Sequence, residues 1–195
     1  MPKVATQRYK FIASASILGT LPDEYTLSVK DYYSIYSFYV THSMCKSLSV
    51  KKRGFCDYGW ASNSTTDPLI AAALKGVLNL HRNPEFVFTT KNDLSSQFTN
   101  RSLADGPVTD LTRERAVIGI TYEDSNYHKL FHHIRNGLAH GSFRLRNSLD
   151  HEKMMIIQDN DRYNVTARIV LKLSTVLAFI EAIDLNGLID VGGDD

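Results

Sequence analysis

Apolar residues recur at three- and four-residue intervals over most of this chain, and that spacing predicts helices. Over about 23–48, Tyr32, Ile35/Tyr36 and Tyr39/Val40 mark an aromatic-rich helical face turned towards a core. Asp67 and Pro68 open a second helix: the first caps free backbone donors, and the second stands where a missing N–H removes no helical bond. Its apolar positions are Ile70, Ala73/Leu74 and Val77/Leu78, and Pro84 stops it. A third helix is expected over about 110–120, after the capping candidates Thr109 and Asp110, and a fourth over about 123–139. The last is expected over about 165–185, with Ile169/Val170, Leu173, Val176/Leu177 and Ile180 apolar, and stops at Asn186-Gly187.

Two stretches break the pattern. Residues 84–107 are mostly polar, with Glu85-Phe86-Val87-Phe88 the only strand-like piece, so a long loop is expected there. Residues 143–160 predict a β-hairpin, with Asp159-Asn160-Asp161 as turn formers. Residues 191–195 read as a flexible tail. The sum is a mainly α fold: a single domain over 1–190, built as a helical bundle with a small β-hairpin after the fourth helix.

That fourth helix carries the candidate chemistry. On a regular helix Tyr127, Leu130, Phe131, Ile134 and Leu138 fall within an arc of about 100° and face the core. His128, His132, Asn136 and His140 repeat every four residues on the other side, facing outwards. Arg135 flanks this polar stripe, Gly137 allows close approach of a second backbone or a ligand, and Gly141 lets the helix stop. Arg135 and His140 stand about 140° apart on one helix. They converge only if the helix ends at Gly141 or a second copy of the helix lies across a dimer.

Arginine, a polar amide and histidine are the minimum parts for cutting RNA without a metal. A neutral histidine removes the proton from a ribose 2′-hydroxyl, which attacks the neighbouring phosphate. The guanidinium holds two phosphoryl oxygens as charge builds on them. Asn136 fixes the ring or bonds the phosphate, and a second His140 or His132 protonates the leaving 5′-oxygen. His128 and Ser142 are neighbours that could lend support, although Ser142 beside His140 lacks the surroundings of a serine nucleophile.

Composition limits the partners. A chain of 195 residues with a formal net charge of +1 is too neutral to coat nucleic acid non-specifically, so any contact is a local site. Lys51-Lys52-Arg53 is a small basic cluster, read as a solvated loop or a weak RNA-backbone contact. Cys45 and Cys56 form neither a disulfide framework nor a zinc spacing, which points to a reducing, cytoplasmic setting. The apolar stretch 11–18 is short and broken by serines, and no run is long enough to span a bilayer. No metal or cofactor is expected: His128 and His132 have ligand spacing and Asp124 extends their face, but no glutamate follows His128 and no third ligand is evident.

Arg135-Asn136-Gly137-Leu138-Ala139-His140 resembles the signature of the HEPN superfamily, an arginine followed by a polar residue and then a histidine four to six positions after the arginine. The resemblance is specific over this motif and its helix, and architectural elsewhere. It implies a helical bundle that dimerises with its motif helices at a shared cleft, and metal-independent endoribonuclease activity with Arg135, Asn136 and His140 as the active trio. It also implies a toxin or anti-phage role, with an antitoxin or defence protein as partner. One branch of that family carries a tyrosine two residues after the histidine, where this chain has Ser142. The other expectation is a non-catalytic HEPN-like module that binds RNA or assembles with protein.

Overall fold

The computed structural model describes residues 16–45, 51, 53–60, 66–78, 85–104, 106–120, 126–162 and 164–189. Lys52, the 191–195 tail, Asp124 and the 11–15 part of the N-terminal apolar stretch lie outside them.

The centre of the molecule is a sheet, not a bundle. Five strands, β1 (Phe86–Thr89), β2 (Arg115–Gly119), β3 (Phe143–Asn147), β4 (Lys153–Asp161) and β5 (Asn164–Lys172), stand in the order β1-β2-β5-β4-β3. β1 and β2 run parallel, and every other pair is antiparallel. The expected mainly α, HEPN-type bundle is therefore corrected to a mixed α/β fold. The helices around the sheet are α1 (Val29–Ile35), which continues as a π-helical turn over Tyr36–Thr41, α2 (Thr66–Leu78), α3 (Leu94–Asn100), α4 (Asn126–Ala139) and α5 (Leu173–Ile183). Among the described residues, no helix is long and apolar enough to cross a membrane.

The corrections have physical causes. The stretch expected as a 110–120 helix is the inner strand β2, and the 165–185 helix splits into β5 and α5. β5 is buried on both faces over Ala167–Leu171, so its apolar residues run together instead of alternating, which periodicity alone does not separate from a buried helix. The 84–107 stretch holds β1 and α3 in place of a long loop. The hairpin after α4 exists as β3 and β4, but it is an integral half of the sheet, and Asp159 to Asp161 extend β4 where a turn was expected.

Alternation along the strands sorts side chains into two cores. Ala116, Ile118, Met155, Ile157, Ala167, Ile169 and Leu171 face α1, α2, α4 and α5. Val117, Met154, Ile156 and Val170 face the smaller cluster with Ile17, Leu94, Phe98 and Leu103. Each fully buried large apolar side chain contributes about 1.5–3 kcal/mol relative to exposure, which places most of the stabilisation on the larger, helical face. Both cysteines are free; Cys45 is buried, and that burial pushes its thiol up to about 11, whereas Cys56 is exposed.

Candidate functional site

Helix α4 docks as its pattern requires. Tyr127, Leu130, Phe131, Ile134 and Leu138 are all buried. The Phe131 ring anchors the middle, its centroid 6.1 Å from each of the Phe38, Tyr39 and Phe179 rings. Gly137 serves this packing: a Cβ there would stand 2.2 Å from Cγ2 of Ile157, so the helix presses directly on β4. The close approach read from this glycine is thus made by the side chain of a strand. At the end of α4, Ser142 N–H donates to Gly137 O at 2.8 Å and Gly141 N–H to Leu138 O at 3.2 Å. With Gly141 at a φ of 65°, this is the two-bond left-handed stop expected of a glycine there. His140 is the cap residue of that stop and is exposed.

The docked helix covers a polar cluster. Asp159 shares the helix-facing side of β4 with Met155 and Ile157, since side chains two apart point the same way, and it is buried. Its Oδ2 lies 2.6 Å from Nδ1 of the buried His133, and the other ring nitrogen, Nε2, lies 3.1 Å from the carbonyl oxygen of Gly119 at the end of β2. Asn136 donates through Nδ2 to the same Asp159 Oδ2 at 3.1 Å and to Nε2 of His132 at 3.1 Å. Its Oδ1 accepts from Arg135 Nη1 at 3.1 Å.

These contacts fix the hydrogens. Both nitrogens of His133 face acceptors, so one proton lies on Nε2 and another is shared in the contact with Asp159. Asn136 accepts from Arg135 and uses both amide hydrogens; the flipped amide would turn oxygen towards a carboxylate and an imidazole lone pair. His132 receives a hydrogen at Nε2 and is therefore neutral, with its own proton on Nδ1. Burial, with smaller contributions from His133 and Lys129, pushes His132 down to about 4.

The structure brings together Arg135, Asn136 and His132 from the predicted set, and adds His133 and Asp159. His140 is held apart at the exposed helix end. His128 and His132 were both expected to face outwards; each is half-buried, and the ring of His128 lies 6.2 Å from that of Phe55. Ser142 takes part through its backbone, its carbonyl accepting from Gln158 N–H at 3.0 Å. In the basic cluster Lys51 is exposed, while Arg53 pairs with Asp57 at 3.3 Å.

His133 had a sequence signal. At 100° per residue it stands about 60° from Leu130, beside Gly137 on the edge of the apolar arc, where a polar side chain is buried and needs a partner. Asp159 had a weaker one, a carboxylate two positions beyond Ile157. The donor atoms of His132, His133 and Asp159 all lie within 4.8 Å of one another, a candidate metal-ligand set among the described residues that takes in His132 but not His128, the partner its spacing suggested.

Searches against protein-family models, curated proteins and solved structures find no match to this chain.

Proposed function

We propose that this chain is a metal-independent endoribonuclease in which Arg135 holds the scissile phosphate and His140 moves the proton. The observation that carries this reading is the orientation of Arg135: Asn136, clamped between Asp159 and His132, presents its carbonyl to Nη1 at 3.1 Å. A guanidinium is suited by its charge and planar fork to hold phosphoryl oxygens. His140 follows on the same helix, exposed at a rigid stop and suited by its chemistry to take a 2′-hydroxyl proton.

Helical geometry continues to His140, whose N–H donates to Asn136 O at 3.0 Å. The angle of about 140° between Arg135 and His140 therefore persists. The mechanism assigns the convergence to a homodimer, with His140 of one protomer beside the phosphate held by Arg135 of the other, and the second His140 as the proton donor for the 5′-oxygen. Such an activity suits a toxin or defence effector in the cytoplasm, restrained by a partner protein. The motif's resemblance to HEPN supports this reading at the level of residues, not of fold.

The internal saturation of Asn136 favours a second reading, in which the motif is structural and the chain binds RNA or protein without cutting. One experiment separates the two. Purified protein is incubated with RNA in the presence of EDTA, alongside Arg135→Ala and His140→Ala, and the cut ends are mapped. Cleavage leaving 2′,3′-cyclic ends, lost by at least about 100-fold in His140→Ala, is expected. Wild-type cleavage in both variants, or none in the wild type under conditions where it binds RNA, rejects the catalytic reading.

A further inference from the structure

The cluster beneath α4 has the make-up of a metal centre as well as that of a hydrogen-bond network. Two imidazoles and one carboxylate are a donor set that zinc and related divalent first-row ions accept. They come from two elements packed face to face: His132 and His133 from α4, and Asp159 from β4. His133 Nε2 already donates to the backbone carbonyl of Gly119 at 3.1 Å. That is the outer contact which holds a metal-binding imidazole in one tautomer and leaves its other nitrogen for the ion.

We infer that His132 Nε2, His133 Nδ1 and Asp159 Oδ2 bind a divalent transition-metal ion of the zinc class, with Asn136 as a competitor for the same atoms. Ligand bonds to zinc are about 2.0–2.2 Å long, which at tetrahedral angles sets donors about 3.3 Å apart. The Nδ1–Oδ2 contact of 2.6 Å must therefore open by less than an ångström. The ion replaces the proton shared in that contact, and the proton leaves to solvent. It also takes the two acceptors that Asn136 Nδ2 bonds at 3.1 Å each. The amide must then turn away, leaving the fourth place to water and giving up its bond to Arg135 Nη1. This inference stands on the geometry of the cluster and does not depend on the nuclease reading.

The test is binding by the intact chain, with no activity readout. Metal-free protein is titrated with zinc chloride by calorimetry and with cobalt chloride by visible absorption, which reports four-coordinate nitrogen and oxygen ligation. One ion per chain is expected. His132→Ala should weaken binding by at least about tenfold, while Asn136→Ala, which removes the competitor, should bind more tightly than wild type. Asp159→Asn should lose the cobalt spectrum; should that variant fail to fold, His132→Ala decides the matter. Absence of binding by the wild type, an unchanged affinity in His132→Ala, or weaker binding by Asn136→Ala overturns the proposal.

Discussion

On one face of the sheet Arg168 is fully buried, gives its Nη1 to the carbonyl oxygens of Leu103 and Ala104, and stands 5.0 Å from the centroid of the Phe98 ring. Nearby, Arg115 gives Nη2 to Asp110 O at 2.8 Å and Nη1 to Arg113 O at 3.2 Å. On the other face the buried polar groups include His133 and Asp159, bonded to each other and, through Asn136, to His132 and Arg135. The arginines use long side chains to tie loops to a strand. The second arrangement links groups that carry or share protons into a line ending at the Arg135 guanidinium. Burial of charge alone therefore does not mark a functional site; the difference is that the second cluster joins imidazole, carboxylate and amide side chains in one network.

Breaking the two clusters should expose that difference, beginning with the largest effect. Asp159→Ala leaves His133 facing a void with a proton to place, and Asn136 without one of its acceptors. Removing one partner of a buried pair costs about 3–5 kcal/mol, so a large fall in the midpoint of urea unfolding is expected. A midpoint close to wild type would show that the pair does not hold α4 on β4.

Arg168→Met removes the guanidinium but keeps most of the side-chain length under Phe98. What remains is a pair of carbonyls without this donor, a loss of about 1–3 kcal/mol. The 103–104 segment should loosen, seen as faster amide exchange there, while exchange across α4 stays as in the wild type. Equal loosening of both faces would erase the distinction drawn between them.

The same contrast explains what could be read in advance. The core arc of α4 and its glycine stop were legible because both follow from local periodicity and local backbone geometry. Residues Arg115–Gly119 and Asn164–Lys172 were misread because inner strands hide their alternation when both faces are covered. The candidate site was half legible. Arg135, Asn136 and His140 share a motif, whereas His133 meets Asp159 across 26 residues of chain, a pairing set only once β4 takes its register beside β5.

Gly137→Ala tests the closeness of helix and strand. A methyl group built 2.2 Å from Ile157 must push α4 away from β4, and such overpacking costs about 1–3 kcal/mol. The displacement would also lengthen the bonds from Asn136 and His133 to Asp159. Ile157→Ala removes that Cγ2, so the double variant should lose less than the sum of the two single losses; an additive loss would mean that the two side chains do not meet.

The smallest effect on stability is expected at the motif's exposed end. His140 lies outside the buried network, and its N–H, which closes the last helical bond to Asn136 O, belongs to the backbone and survives substitution. His140→Ala should therefore unfold within about 0.5 kcal/mol of the wild type, whatever happens to RNA cleavage. Asp159→Ala, by contrast, should lose stability and the orientation of Arg135 together. If His140→Ala proved as destabilising as Asp159→Ala, the histidine would be part of the scaffold and any loss of cleavage would follow from unfolding. A stable, inactive His140→Ala would instead divide the motif along its own helix, with the Asn136 end serving position and the His140 end serving proton transfer.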